Sequence, residues 1–191
     1  MKQYNHRAMD FSFSAEQQAF LDRVRHFADT RVAPVAAELD VTGKYPRALV
    51  SEAAALGLMG LCVSPAHGGA GRDYVTYAAA IEIIASASAT LAVILTVNNS
   101  LVSETIEQFG TPAQKETWLP RLTSGAVIGA FALSEAEAGS DAANQQTSAR
   151  LDERGYLING RKVWVANADA ASVAIVFAAT EPDARGRGIS A

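Results

Sequence analysis

The segment RLTSGAVIGAFAL, residues 121–133, contains the change of pattern that decides the fold. Before it, apolar residues recur at helical spacing, and after Ser124-Gly125 they form short strand-like runs. Helices first and strands second favour two segregated parts over alternating β-α units. The sequence therefore predicts an α+β chain, with an N-terminal all-α helical bundle over residues 1–125 and an incomplete antiparallel β-barrel-like domain over residues 126–191.

Capping signals divide the helical part. Ser14 opens a capping box, and Asp73 stands where a long buried helix begins, which we expect to continue to about Val97. Pro34 is expected to end or kink the first helix, because proline removes a backbone hydrogen bond and clashes with the preceding turn. Thr111 opens the last predicted helix.

Four runs predict strands in the second part: residues 127–133, 144–151, 156–165 and 172–180. The dipeptide Asn159-Gly160 predicts a two-residue hairpin inside the third run. A further strand begins at Ile189, close to the last residue of the sequence. We therefore expect an incomplete sheet with an unpaired edge, which natural proteins normally cover.

Composition argues against two classes of partner. The net charge is −4 and no Lys/Arg run is present, so nothing predicts binding to nucleic acid or adhesion to an anionic membrane. The most apolar run, residues 83–97, is shorter than the roughly 20 residues of a bilayer-spanning helix and predicts a buried core helix. Residues 1–9 show no signal-peptide pattern.

Cysteine and histidine usage predicts neither a disulfide nor a metal site. Cys62 is the single cysteine and has no partner. His6, His26 and His67 lie far apart in the sequence, without a metal-binding spacing. We expect no metal and a location in the reducing cytoplasm.

The segment AFALSEAEAGSD, residues 130–141, is the candidate for chemistry, since it leaves a predicted strand and enters a loop rich in small residues. Ser134 and Ser140 offer hydroxyl donors, and successive loop amides can receive an anion. A polar surface loop without a ligand explains the same composition and stays open. The sequence has no Walker loop and no G-x-G-x-x-G motif after a strand, which excludes a Rossmann dinucleotide site.

Five segments, in order, resemble the acyl-CoA dehydrogenase family. They are residues 16–40, 56–71, 109–120, 130–141 and 155–165, and the fourth resembles the family signature T/S-E-x-x-A-G-S-D. The resemblance implies an FAD-dependent oxidoreductase of fatty acid metabolism that acts on the CH–CH group of acyl-CoA thioesters and yields a 2-enoyl-CoA. It also implies an electron-transfer flavoprotein as acceptor and an oligomer when the protein is complete.

The same resemblance assigns residues to the cofactor. Phe131, Ala132, Leu133 and Ser134 would line the flavin ring, and Trp164, Val165 and Ala166 would lie beside the flavin. Ser140 would meet the pyrophosphate, and Gly139 would allow its close approach. The Ser134 hydroxyl would donate to the pyrimidine edge of the ring, and Ser140 would also contact the CoA substrate. A core position is the alternative for Trp164. Glu135 and Asp141 are expected to orient the loop without acting as bases.

The sequence also departs from the family pattern. Ala136 replaces the usual proline of the signature, and Ala166 replaces a Thr or Ser whose hydroxyl contacts flavin N5, which leaves only a backbone N–H as donor. The resemblance covers about the first half of a family chain, and no residue matches the Glu base, so no catalytic residue is assigned and the chain alone is expected to be inactive. Two alternatives stay open: a non-catalytic flavin- or CoA-binding or partner module, and a flavin monooxygenase on the same scaffold.

Overall fold

The computed structural model describes residues 12–191, so His6 and residues 1–9, considered above, lie outside it. The α-helices are α1 (Ala15–Phe27), α2 (Ala33–Thr42), α3 (Arg47–Ala55), α4 (Tyr74–Ala87), α5 (Ala89–Thr96), α6 (Glu104–Phe109) and α7 (Pro112–Thr123). The strands are β1 (Gly129–Ala132), β2 (Ser148–Asp152), β3 (Gly155–Asn159), β4 (Val173–Val176), β5 (Ala178–Ala179) and β6 (Ile189–Ser190). This order of elements confirms the α+β class.

The first helix begins as predicted but is not ended by Pro34. Ser14 Oγ accepts from the Gln17 backbone N–H at 3.2 Å and Gln17 Oε1 accepts from the Ser14 N–H at 2.9 Å, which confirms the capping box. A π-helical turn, Ala28–Val32, follows α1, and Pro34 lies in the first turn of α2. Before Pro34 the hydrogen bonding shifts to the i→i−5 pattern, with the Ala33 N–H donating to Ala28 O, so the proline interrupts the regular α-helical pattern while the chain stays helical.

The helix predicted from Asp73 to about Val97 breaks at Ser88. Asp73 caps α4 as predicted, its carboxylate accepting from the Thr76 N–H at 2.8 Å. Ser88 has φ −155° and ψ 109°, and its hydroxyl accepts from the Leu91 N–H at 3.3 Å. Serine side chains favour such a cap because they replace a missing backbone partner, so Ser88 ends α4 and starts α5.

Beyond this break a continuous helix runs from Ala89 to Phe109, through the π-helical turn Val97–Ser103. Its 21 residues are long and apolar enough to cross a membrane by length and composition. In this fold 56% of its most apolar stretch is buried, and core helices of soluble proteins can have the same length and composition. Packing against the rest of the chain therefore accounts for much of its apolar character.

The strands form mixed sheets, which corrects the predicted antiparallel arrangement. β1 pairs with β4 in parallel, and a second sheet has the order β3-β2-β5-β6. In the second sheet β2 is antiparallel to β3 and parallel to β5. Parallel neighbours need a long connection, and the residues between β1 and β4 supply one. Within residues 12–191 the sheets do not close into a barrel.

The hairpin turns at Glu153-Arg154, so the prediction of a turn at Asn159-Gly160 is wrong. Gly155, which follows the turn, has a φ of +129° that favours glycine. Gly160 serves a different purpose, since a Cβ at this position would overlap the Thr147 side chain. The Asn-Gly pair therefore reflects close packing beyond β3.

Asn98 joins the helical layer to β1. Its side-chain amide donates to Met59 O and Leu122 O at 3.0 and 3.3 Å, and its Oδ1 accepts from the Gly129 N–H at 3.1 Å. A small apolar core lies at the same junction, consisting of Val97, Val102, Leu122 and Val127 with Phe131, Ala166, Val173 and Ile175 packed against it. The start of β1 is therefore fixed on the helices.

Candidate functional site

The loop after β1 begins with a turn closed by Glu135 and Ala138. The Glu135 N–H donates to Ala138 O at 3.0 Å, and the Ala138 N–H donates to Glu135 O at 3.2 Å. The Glu135 side chain is only 5% exposed. Its carboxylate accepts from the backbone N–H groups of Gln146 and Thr147 at 2.6 and 3.1 Å, which joins the loop to the segment before β2.

Lys162 provides the opposite charge inside this junction. Its ammonium group donates to Glu135 Oε1 and Gln145 Oε1 at 2.8 Å each and to Leu133 O at 2.9 Å. Burial alone would raise the pKa of Glu135, but the hydrogen bonds from Lys162 and from the two backbone N–H groups lower that pKa to about 2. Glu135 is therefore ionised and fully hydrogen-bonded at neutral pH, which makes it unsuitable as a general base.

Two of the three segments that the family resemblance assigns to a flavin meet beside this ion pair. The Val163 N–H donates to Ser134 O at 2.9 Å, next to the contact between Lys162 and Leu133. The structure thus brings Phe131, Ala132, Leu133 and Ser134 together with Trp164, Val165 and Ala166. Gly139 and Ser140 are exposed beyond the turn, and within residues 12–191 no hydrogen bond connects them to this group.

Trp164 is the most unusual side chain of this group. It is 95% exposed and has a φ of +57°, a backbone conformation that is rare for bulky residues. The predicted strand through residue 165 ends at Asn159, so Trp164 lies in an irregular segment. Its exposure excludes the alternative of a core tryptophan in this chain and leaves a large aromatic surface without cover.

Two hydrogen-bond donors on this surface are unused. The Ser134 hydroxyl and the Ala166 backbone N–H have no hydrogen-bond partner within residues 12–191. Ser134 is half-buried and Ala166 packs against the small core at the junction with the helices. The position of Ala166 is therefore fixed while its N–H remains available to a ligand.

Sequence reasoning missed Lys162 and Asn167. Asn167 is 7% exposed with a φ of +67°. Its amide donates to Ile94 O and Gly129 O at 3.2 Å each, which holds the end of the segment against α5 and β1. The available signals were a lysine directly before the apolar residues 163–165 and an asparagine, a residue that tolerates left-handed backbone.

Residues of the turn that follows Trp164 line two cavities. One, of about 550 Å³, is lined by Ala132, Lys162 and Val165, among others. The other, of about 520 Å³, is lined by Ala166 and Asn167 together with residues of α5 and of the linker between α2 and α3. Among the described residues, 12–191, no group of three His, Cys, Asp or Glu side chains is placed to hold a metal ion.

Comparison with known proteins agrees with this geometry. Residues 14–126 match the model of the acyl-CoA dehydrogenase N-terminal domain, and residues 130–191 match that of the middle domain. The human mitochondrial short-chain specific acyl-CoA dehydrogenase is 43% identical over 174 residues, which cover 91% of this chain and 42% of that protein. The chain thus spans less than half the length of this relative.

Solved structures give the same result. Butyryl-CoA dehydrogenase from Megasphaera elsdenii superimposes with a TM-score of 0.90 at 39% identity, covering 95% of this chain and 48% of that one. A glutaryl-CoA dehydrogenase from Mycobacterium smegmatis, solved in complex with FADH2, superimposes with a TM-score of 0.85 at 32% identity, covering 88% and 44%. The chain belongs to the acyl-CoA dehydrogenase family.

Proposed function

We propose that this chain forms the N-terminal and middle parts of an FAD-dependent acyl-CoA dehydrogenase and supplies one side of its flavin site. The observation that carries the proposal is Trp164, 95% exposed beside residues 131–134. A flat aromatic ligand would cover this ring and recover the free energy of burying it. The FADH2 complex of the glutaryl-CoA dehydrogenase relative supports a flavin as that ligand.

The residues present fit a flavin. Trp164 offers an aromatic face, and the unused Ser134 hydroxyl and Ala166 N–H offer donors for the polar edge of the ring. Such donors stabilise the negative charge that a flavin acquires on reduction. When bound, FAD would supply the hydride acceptor for dehydrogenation. The role of this chain is to orient the ring and to hold these donors in place.

The described residues supply no base for the substrate α-proton. Glu135, whose carboxylate joins the loop after β1 to the segment before β2, has a pKa lowered to about 2. It already accepts hydrogen bonds from Lys162 and from two backbone N–H groups. We place the base in the part of the protein that corresponds to the unmatched 58% of the human relative. The isolated chain should therefore show no dehydrogenase turnover with an acyl-CoA and a dye acceptor.

Substrate and partners follow from the relatives. The human relative is named a short-chain specific acyl-CoA dehydrogenase, which supports acyl-CoA thioesters with short acyl groups as substrates. We further propose an electron-transfer flavoprotein as acceptor, an oligomeric complete protein and a cytoplasmic location. Ser140, exposed beyond the Glu135 turn, is proposed to contact the cofactor pyrophosphate and the CoA.

An absorbance titration of the 191-residue chain with FAD tests the flavin half-site. We expect saturable binding of one flavin, weakened about fivefold by Trp164→Ala, because aromatic stacking contributes about 1 kcal/mol. Phe109→Ala is the matched control, since Phe109 is an exposed aromatic at the end of α6, outside the proposed site. Absence of saturable binding, or equal weakening by both substitutions, would contradict the proposal.

One observation favours a second candidate, the non-catalytic partner module. The β2–β3 hairpin exposes Leu151, Tyr156 and Leu157 by 66%, 61% and 54%, on strands with little cover. A stable oligomer that forms without flavin and dissociates on Leu157→Lys, measured by light scattering, would favour this function. A monomer that binds FAD would argue against it. Nothing within residues 12–191 favours the flavin monooxygenase alternative.

A further inference from the structure

The carbonyl group of Leu133, just after β1, is held differently from its neighbours in the chain. The carbonyl before it accepts from the Phe177 N–H at 3.1 Å, and the carbonyl after it accepts from the Val163 N–H at 2.9 Å. Leu133 O instead accepts from the Lys162 ammonium group at 2.9 Å. Within residues 12–191, Lys162 is therefore the one hydrogen-bond partner of the peptide group that joins Leu133 to Ser134.

Lys162 has no donor left for a ligand. Its side chain is 9% exposed, and its ammonium group also donates to Glu135 Oε1 and Gln145 Oε1 at 2.8 Å each. A lysine ammonium carries three N–H groups, so the three contacts use all of them. Lys162 can therefore act on a ligand only through the groups that it holds.

The peptide group that Lys162 holds carries a further unused donor. In a planar trans peptide the N–H points away from the carbonyl, so the Ser134 N–H is directed away from Lys162. This N–H makes no hydrogen bond within residues 12–191, and Ser134 is half-buried. The next peptide group is held by the Val163 N–H, so the backbone on both sides of Ser134 has a fixed orientation.

We propose that Lys162 is a positioning residue for the flavin, which directs the Ser134 N–H at the polar edge of the ring. The inference rests on the proposed flavin site and deepens it, since that site used the Ser134 hydroxyl and the Ala166 N–H. A donor contributes more to a charged acceptor than to a neutral one, and the flavin ring acquires negative charge on reduction. Lys162 therefore favours binding of the reduced cofactor without contacting it.

Two variants separate this role from the stability that the ion pair supplies. Glu135→Gln keeps Lys162 and its hydrogen bond to Leu133 O. The double variant Glu135→Gln/Lys162→Met removes this hydrogen bond as well. Because the double variant loses both charges, it leaves no unpaired buried charge and no change of net charge beside the flavin.

The affinities of the 191-residue chain for FAD and for FADH2, titrated without oxygen, give the decisive ratio. We expect the double variant to lower the preference for FADH2 about fivefold relative to the unmodified chain, the difference between a charged and a neutral hydrogen bond. Glu135→Gln should not lower it. A merely structural role weakens both forms equally, so an unchanged ratio in the double variant would overturn the inference and retain the flavin site. Absence of saturable FAD binding by the unmodified chain would contradict the proposed function, and the inference with it.

A measurement without flavin tests the positioning itself. The three-bond coupling between the amide and α protons of Ser134 reports its φ angle by NMR. We expect Glu135→Gln to keep the coupling of the unmodified chain and the double variant to change it, because the peptide group loses its partner. An unchanged coupling in the double variant would overturn the inference. An altered coupling in Glu135→Gln would do the same, since it would assign the orientation to the ion pair and not to the contact with Leu133 O.

Discussion

The helical and β parts of this chain are stabilised in different ways. In the helical part, Leu58, Leu61 and Leu95 are completely buried, and local caps such as Ser14 and Thr111 define the helix ends. In the β part, all five residues of β3 are exposed, and hydrogen bonds between distant residues hold the loops in place. The first part thus depends on apolar burial and local signals, and the second on a few buried polar contacts.

The largest effect is expected from breaking the buried ion pair of the β part. Lys162→Met leaves Glu135 as an unpaired buried charge and should lower the free energy of unfolding by about 3–5 kcal/mol. Hydrogen exchange should show the loss in β1 and residues 131–138, with protection of α4 and α5 retained. Lys162→Arg, which keeps the charge, is the control. A uniform loss of protection across both parts would contradict the claim that the helical and β parts are stabilised in different ways.

The junction between the two parts should be nearly as sensitive. Asn98→Ala removes three buried hydrogen bonds and leaves Met59 O and the Gly129 N–H unpaired, whereas Leu122 O still accepts from the Gly125 N–H. We expect a loss of about 2–4 kcal/mol in urea unfolding, compared with well under 1 kcal/mol for Ser100→Ala in the same helix. Similar losses for the two variants would show that Asn98 does not couple the parts.

Acid should destabilise the β part through Glu135. Its pKa is lowered to about 2 in the folded chain from an ordinary value of 4.5, so the unfolded chain binds this proton more readily. Its contribution to stability is therefore complete above about pH 4.5 and is lost as the pH falls towards 2. Urea unfolding of Glu135→Gln should lack this part of the pH dependence, and an identical pH profile would contradict the assignment.

The smallest effect is expected at a helix cap. Thr111 Oγ1 accepts from the Gln114 N–H at 3.3 Å, and Thr111→Ala should cost about 1 kcal/mol in thermal unfolding. Because the cap is local, the change should leave hydrogen exchange at residues 131–138 unaltered. Increased exchange in those residues would indicate that the two parts are not stabilised independently.

The same contrast explains which features the sequence predicts. Caps at Ser14, Asp73 and Thr111 depend on residues three positions apart, and all three are present. Strand pairing depends on distant partners, so the antiparallel prediction was wrong for β1 and β4. The Asn159-Gly160 pattern misled because packing of Gly160 against Thr147, which no local pattern encodes, accounts for the glycine.

The candidate site also contains contacts that local sequence patterns do not predict. Resemblance to a family placed residues 131–134 and 164–166 in one site, and the fold brings them together. Lys162 was missed because its acceptors, on Leu133, Glu135 and Gln145, lie 29, 27 and 17 positions away in the sequence. Asn167 was missed for the same reason, since its acceptors belong to α5 and β1.

Fluorescence of Trp164 offers the most direct test of whether the β part presents a flavin surface. In a Trp118→Phe chain, Trp164 is the single tryptophan, and it is 95% exposed. Titration with FAD should quench its emission saturably, to an endpoint of one flavin per chain, and addition of adenosine diphosphate alone should not reproduce the full quenching. Emission that decreases only in proportion to the FAD added, without saturation, would contradict the proposed flavin site.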